Sequence, residues 1–494
     1  MICNLMPTLA AVKTPLYLKL ARALEEQISR GVLRPGERIP SVRSFSRQQG
    51  VSISTVLEAF MWLENRGAIE SRPQSGFFVR VPFAKSVPEP RFQTPAPRPA
   101  AFGAGAIVAE VLRSATDPAS IPLGTACPDP ELLPHHKLNA ILRGIARRNR
   151  LHSSIYGPTQ GVEALRRQIA RRSLEYGCNF SPADIVVTTG AMEALNLCLR
   201  AVARAGDAIA LESPTYFGVI EAVEALGMRC IEIPTHPREG MSLEFLADAI
   251  RKHRIKACVS ITNGHNPLGY VLPDDYKKRL AELTAKHNVA LIEDNIYGDL
   301  AFGASPPMVA KAFDRKGMVL LCSSFSKVLA PGFRVGWVHA GRYHAEVERL
   351  KFLNTVATPH LQQLVLAEYL ESGGYDRYLT RLRIAFAEQV RMVSQAAAKY
   401  FPEGTRITRP DAGYLLWVEL PKKVDAVELF RAAVAAHITI VPGTIFSTTG
   451  RFRNCIRISC GYRHARLAGG GTGAGIITGA QSRSTWLTWC ASLS

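Results

Sequence analysis

The sequence is short of paired cysteines, of long apolar runs and of acid. Its ten cysteines are scattered, with no CxxC pair and no Cys/His spacing of the kind that binds zinc. That excludes a disulfide framework, makes reduced thiols the expectation, and leaves no structural metal to expect. No apolar run approaches the roughly 18 residues of a membrane-crossing helix, so no membrane partner is expected. The N-terminus lacks the basic start and small-residue cleavage site of a secretion signal, so the expected location is the cytoplasm. Acid is outnumbered: 41 Asp and Glu stand against 60 Lys and Arg, a formal net charge of +19. That balance calls for an anionic partner: nucleic acid, a phosphorylated ligand or, less favoured, a membrane surface.

What is present suffices for more than one core. A chain of 494 residues with 47% hydrophobic content predicts two or three domains. Residues 14–81 read as a first unit. Residues 82–105 read as a Pro-rich linker carrying Pro82, Pro88, Pro90, Pro95, Pro97 and Pro99, a composition that favours an extended spacer. Residues 106–462 form the second unit. In it, short β-rich runs (Ile185–Thr189, Ala208–Leu211, Ala257–Ile261, Ala290–Glu293, Met318–Ser323) alternate with helix-length segments, the pattern of a mainly parallel α/β sheet. Residues 343–400 predict long helices. Residues 407–461 predict short strands around one helix at Val424–Ala436, a smaller α+β domain packed on the larger one. There is no internal repeat.

In the first unit, Thr14 and Pro15 suit a helix start, Leu16, Leu20, Leu24 and Ile28 share a face, and Gly31 can end the helix. A second helix fits Ser41–Gln49, closed by Gly50; Ser52 caps a third that runs to Asn65 and stops at Gly67. Ile69–Arg72, a turn at Pro73–Gly76 and Phe77–Val81 predict a β-hairpin. The order is that of a winged helix-turn-helix, although three helices and a hairpin alone also fit a small packing module. Residues 1–81 hold two Lys and nine Arg against six Glu. Arg38, Arg43, Arg47 and Arg72 fall in or near the elements that would face DNA, and Ser52, Ser54 and Thr55 begin the third helix, where base edges are reached.

In the second unit the most informative stretch is Ser323–Trp337, SSFSKVLAPGFRVGW. Lys327 follows a strand among the hydroxyls of Ser324 and Ser326, and Arg334 comes seven residues later. Pyridoxal 5′-phosphate needs that combination: a lysine to form a Schiff base with the aldehyde, and an arginine with hydroxyls to hold the phosphate. Asp294 ends the strand of ALIEDNIYG, where a carboxylate can pair with the pyridinium nitrogen. Tyr297, three residues on, and Asn266 of NGHNPLG can both bond to the ring's O3′. Each piece alone is common, as a solvated loop, a helix cap or a turn; the ordered set at strand ends is not.

Three resemblances sharpen these expectations. GVLRPGERIPSVRSFSRQQGVSISTV followed by LENRGAIESRPQSGFFV resembles the GntR family of winged-helix regulators, which implies contacts to double-stranded operator DNA by Arg38 and Arg43, with Ser52, Ser54, Thr55 and the wing residue Gly76 close by. Ile53 stands where that family often has a polar or basic residue. Residues 120–462 resemble the fold-type I aminotransferases of class I. That resemblance implies that Gly190, Ala191 and Met192 before a helix hold the phosphate and that Tyr216 stacks on the ring. It further implies that Tyr156 reaches the phosphate of a partner subunit in a homodimer and that Arg457 grips a substrate α-carboxylate. The winged helix, linker and aminotransferase-like domain in that order resemble the MocR subfamily. They imply a regulator in which an amino acid or amine effector forms an external aldimine in place of Lys327 and alters DNA binding. A working aminotransferase with an accessory DNA-binding domain, and a DNA-binding protein with a vestigial cofactor site, are the alternatives. Residues 463–494 lack the amphipathic helix expected there; a disordered or frameshifted tail is the expectation, and its glycines do not fit a nucleotide-binding loop.

Overall fold

Small and apolar residues spaced by three and four build the first helices around one cluster. In the computed structural model the described residues are 15–29, 32–33, 37–65, 68–72, 76–79, 87–90, 105–148, 154–303 and 305–462. The proposed cap Thr14, the stops Gly31 and Gly67, the turn residues 73–75 and the tail 463–494 lie outside them. The chain divides into two compact units, residues 1–86 and 87–494.

The first unit contains α1 (Leu16–Ser29), α2 (Val42–Gln49), α3 (Ile53–Asn65), β1 (Ile69–Arg72) and β2 (Gly76–Val79). Its core is Ala21, Leu24, Ile39, Phe45, Val56, Ala59, Phe60, Leu63, Ile69 and Val79. Leu16, expected on the buried face of α1, is 53% exposed, because Ala21 and Leu24 supply the inward positions. Ser41 caps α2 by accepting from Ser44 N, and Gly50 closes it in the left-handed conformation at φ 63°. The hairpin pairs Arg72 with Gly76, so Gly76 opens the second strand rather than belonging to the turn. Glu37–Ile39 runs beside β2: Ile39 N donates to Phe77 O and Val79 N to Glu37 O.

The second unit begins with α4 (Gly105–Ser114), α5 (His135–Arg148) and α6 (Glu163–Ser173). Its main sheet then alternates with helices: β3 (Ile185–Thr188), α7 (Ala191–Val202), β4 (Ala208–Ser213), α8 (Phe217–Ala225), β5 (Arg229–His236), β6 (Gly240–Met241), α9 (Leu243–His253), β7 (Ile255–Ser260), α10 (Asp274–Lys286), β8 (Ala290–Asp294), β9 (Val319–Ser324) and β10 (Gly336–His339). The eight strands lie in the order β3-β10-β9-β8-β7-β4-β5-β6. Neighbours from β5 to β9 are parallel, whereas β10 is antiparallel to both β3 and β9. The parallel strands read as continuous apolar runs because helices cover both faces of the sheet. The helices α11 (His344–Thr355), α12 (His360–Glu371) and α13 (Tyr375–Tyr400) lead to a four-stranded antiparallel sheet. It is built from β11 (Arg406–Ile407), β12 (Leu415–Glu419), then α14 (Ala426–Ala435), β13 (Val441–Pro442) and β14 (Cys455–Ser459), in the order β11-β12-β14-β13.

Four residues of the Pro-rich stretch do not act as a free spacer. Val87 packs against the core of the second unit, Pro88 O accepts from Ile407 N at 2.9 Å, and the Glu89 carboxylate holds Arg238 Nε at 2.9 Å. Arg238 sits between β5 and β6 and Ile407 on the edge strand β11, so this segment is tied to both sheets at once.

His339, at the end of β10, carries a pH prediction. Its ring stacks on Phe180 at 4.0 Å, and burial, helped by the Lys311 ammonium, pushes its pKa down to about 4. A folded value below the ordinary 6.5 gives stability that is present above pH 6.5 and lost as pH falls through about 4. At about 1.4 kcal/mol per pH unit the loss is about 3 kcal/mol. Denaturant melts at about pH 7 and about pH 4.5 should therefore show a steeper acid loss for the parent than for His339→Leu; parallel losses would contradict this assignment.

Candidate functional site

Carboxyl ends of adjacent parallel strands converge where the strand order reverses, the place at which open α/β sheets bind ligands. Here β8 delivers Asp294, β9 delivers Ser324 and the short turn carrying Lys327, β7 leads to Ile261 and β4 to Tyr216. Asp294, Lys327, Ile261 and Tyr216 border a cavity of about 230 Å³, whereas Gly190 and Ser324 are not among its lining residues. Of the residues singled out from sequence, Ala191, Met192, Tyr216, Asn266, Asp294, Tyr297, Ser326, Lys327 and Arg334 line it.

Lys327 Nζ donates to Ala126 O at 2.6 Å. Desolvation in the pocket pushes its pKa below the ordinary lysine range, and the Arg457 and Arg334 guanidinium groups push the same way. An amine so placed is more readily uncharged and nucleophilic toward an aldehyde. The Asp294 carboxyl is buried and raised by that burial to about 6; Ile296 N, donating to its Oδ1 at 3.0 Å, works in the opposite direction. Tyr297 is 2% exposed and its Oη has no hydrogen-bond partner. A buried hydroxyl left unpaired costs free energy unless a ligand satisfies it. Gly218 makes room for the Tyr216 ring, since a Cβ there would stand 2.6 Å from Cε1.

At the start of α7 the cavity wall combines backbone amides with the Arg334 and Ser326 side chains. Gly190 takes φ 84° as it starts α7, and a Cβ on it would collide with Arg334 Nη2. Arg334 Nη1 donates to Ser326 Oγ at 3.2 Å, and Ser324 Oγ donates to Ser326 Oγ at 2.9 Å. Amides at the start of α7, the helix dipole and the guanidinium thus face one spot, the donor set that a phosphate dianion requires. Glu193 steadies this wall from behind: its carboxylate accepts from Thr189 N at 2.6 Å and from the buried Lys351 Nζ at 2.7 Å.

Arg457, on β14, is 3% exposed and lies behind the lining residue Asn266: Nη1 donates to Asn266 Oδ1 at 3.2 Å and Nη2 to Gly124 O at 2.6 Å, and the guanidinium carbon lies 5.4 Å from the centre of the Phe446 ring. Its Nε has no partner. Burial pushes its pKa below the ordinary guanidinium range. Tyr156, by contrast, is 85% exposed and takes no part in the pocket of its own chain. Sequence reasoning missed the Ala126 carbonyl and Tyr414, whose Oη donates to that same oxygen at 3.2 Å. A main-chain acceptor has no residue-type signature, and Tyr414 lies within an apolar strand pattern.

In the first unit the Arg38, Arg43, Arg47, Ser52 and Ser54 side chains are exposed, while Thr55 and Gly76 are half-buried. Ser52 Oγ lies 2.8 Å from both Ser54 Oγ and Thr55 Oγ1 and accepts from Thr55 N at 3.2 Å. A Cβ on Gly76 would stand 3.5 Å from the Arg38 guanidinium. Wing and arginine are therefore neighbours. Arg72 and the linker positions 82–86 and 91–104 have no described side chains. Among the described residues no helix is long and apolar enough to cross a membrane and no cluster of metal ligands occurs.

Fold and pocket define a protein class: an aminotransferase-type α/β domain whose donors fit pyridoxal 5′-phosphate, preceded by a winged helix. Comparison with known proteins agrees. Residues 130–468 match the family model for aminotransferase class I and II, and residues 16–79 that for the gntR family of bacterial regulatory proteins. The chain is 40% identical to the uncharacterized HTH-type transcriptional regulator YdcR of Escherichia coli, over 90% of this chain and 95% of that protein. It is 31% identical to the 2-aminoadipate transaminase of Thermus thermophilus, over 73% and 91%. Among solved structures it resembles the alpha-aminoadipate aminotransferase LysN of Thermus thermophilus, complexed with N-(5′-phosphopyridoxyl)-L-leucine. That match has a TM-score of 0.68 and 27% identity, over 79% of this chain and 97% of that one. The chain belongs to the GntR-type regulators that carry a class I and II aminotransferase domain, the MocR-like architecture.

Proposed function

We propose that this chain is a transcription regulator, acting in the cytoplasm as a homodimer, whose grip on operator DNA changes when an amino acid or amine effector occupies the cofactor pocket. The observation that carries the reading is Arg457: a buried guanidinium whose bonds go only to neutral oxygens, with one nitrogen unpaired, beside Asn266. A buried charge of this kind is costly until an anion meets it, and an α-carboxylate supplies a planar, bidentate match. The names of its relatives, HTH-type transcriptional regulators, point the same way.

Pyridoxal 5′-phosphate, when bound, supplies an aldehyde that takes up an amine and a ring that withdraws electrons. Gly190, Ala191 and Met192 at the start of α7, with Ser324, Ser326 and Arg334, would hold its phosphate. Asp294 would hold a proton on the ring nitrogen, and Tyr216 would cover the ring. Tyr297 and Asn266 would donate to the ring oxygen. Lys327 would offer its Nζ to that aldehyde, and the Ala126 carbonyl, which accepts from Nζ at 2.6 Å, would orient the amine. Tyr156, 85% exposed next to the exposed Ile155, is free to reach the pocket of a second copy.

The same reading names a route from pocket to linker. Arg457 on β14 draws on the antiparallel sheet, whose edge strand β11 binds Pro88, while Glu89 is clasped by Arg238 beside the main sheet. A shift of one sheet against the other must strain or release Val87–Pro90. The second reading, a working aminotransferase, is favoured by the burial of Lys327, which pushes its pKa below the ordinary lysine range, the direction that suits a proton-shuttling amine. An amino-acid panel scored for both DNA affinity and keto-acid formation separates the two: altered affinity without sustained keto acid supports the switch, and steady keto acid without altered affinity supports the enzyme.

A further inference from the structure

Helix α3 exposes an apolar stripe where a DNA-reading helix ordinarily places polar side chains. Ile53 is 49% exposed and Leu57, one turn on, is 40% exposed; Met61 continues the line at 42%. The opposite face, Val56, Ala59, Phe60 and Leu63, is buried in the core of the unit, so packing does not explain the outward residues. The hydroxyls nearby are already engaged, since Ser52 Oγ contacts Ser54 Oγ, Thr55 Oγ1 and Thr55 N. Exposed Arg43 and Arg47 lie on α2, which packs against α3, and exposed Arg38 lies beside the wing residue Gly76, so the unit that presents this stripe carries cations suited to phosphates rather than to another apolar protein surface.

We infer that Ile53 and Leu57 read thymine C5-methyl groups in the major groove of the operator. Each thymine presents a methyl group there, the one apolar feature among the base edges, and apolar side chains contact it. Recognition helices use their N-terminal residues for base contacts, which selects Ile53 and Leu57 over Met61. Four residues at about 1.5 Å each separate the two side chains by about 6 Å along the helix, close to two base steps of about 3.4 Å. The half-site should therefore hold thymines about two steps apart. This inference rests on the DNA-binding reading above and is tested separately from it.

The experiment takes the full chain, selects duplexes from a random pool, and then replaces each thymine of a selected duplex by deoxyuridine, which removes only the methyl. The expected result is a loss of about fourfold in affinity per contacted position, the factor that accompanies one buried methylene-sized group. It should occur at one or two positions in each half-site and disappear in Ile53→Ala/Leu57→Ala. Both residues are exposed, so the variant should fold, and the deoxyuridine series on the parent chain stands without it. Selected duplexes that bind equally well with uracil at every position would overturn the inference while leaving DNA binding intact. The same uracil profile with an altered oligomeric state in the double variant would assign the stripe to protein contact, also overturning it. Failure to select any duplex would remove the DNA-binding reading as well.

Discussion

Lys327→Ala should abolish the visible absorbance of the lysine-bound cofactor while leaving effector-free DNA binding close to that of the parent. The pocket has one amine at the position facing Asp294 and Arg334, and no second lysine lines it. Without Nζ the aldehyde has no covalent partner in the chain. The donor set of Gly190, Ala191, Ser326 and Arg334 remains, so phosphate-borne affinity should persist in weakened form. Any transamination should fall by about 10²–10⁴-fold, the usual contribution of a positioned acid–base group. The winged helix has its own core, which is why its basal binding should survive. A variant that keeps the visible band would contradict the role given to Lys327.

Arg457→Ala should separate stability from response. The guanidinium is buried, lowered in pKa by that burial, and bonded to neutral oxygens. Deleting it relieves the cost of a buried charge but leaves Asn266 Oδ1 and Gly124 O without their donor and removes the contact with the Phe446 ring, so the effects oppose and ligand-free stability should change little. Effector affinity should fall, because truncating one partner of a buried, hydrogen-bonded charge pair costs about 2–5 kcal/mol, about 30-fold to several thousand-fold. Arg457→Lys should not restore it, since a point charge lacks the planar fork. Effector titrations followed by the cofactor's absorbance, paired with denaturant melts, read both quantities. An unchanged effector affinity would place the carboxylate elsewhere.

The cofactor pocket was more legible in sequence than the fold around it. Covalent chemistry restricts residue types: an aldehyde needs an amine, a pyridinium needs a carboxylate and a phosphate needs an arginine, so Lys327, Asp294 and Arg334 stand out at strand ends. The Ala126 carbonyl does not, because every residue has one. The strand β10 escaped the periodicity reading because it is only four residues long and follows directly on the Arg334 segment; β5 was hidden by its proline and flanking charges. Spacing alone places Leu16 inward, yet Ala21 and Leu24 satisfy the contact with the other helices. Val87–Pro90 read as spacer because proline content signals extended chain, and an extended chain is also what can pair with the open edge of β11. The apolar stripe on α3 was visible in part, at Ile53, but periodicity could not tell an exposed face from a buried one.

Occupation of the cofactor pocket should be felt at the winged helix. The most direct test is the affinity of the cofactor-loaded full chain for a selected operator duplex, measured with and without an amino acid that shifts the cofactor's absorbance. The expected change is about 5–150-fold, the span of ordinary allosteric coupling, and it should be absent in Lys327→Ala. An operator affinity that stays the same at saturation with every amino acid that shifts the absorbance would contradict the coupling.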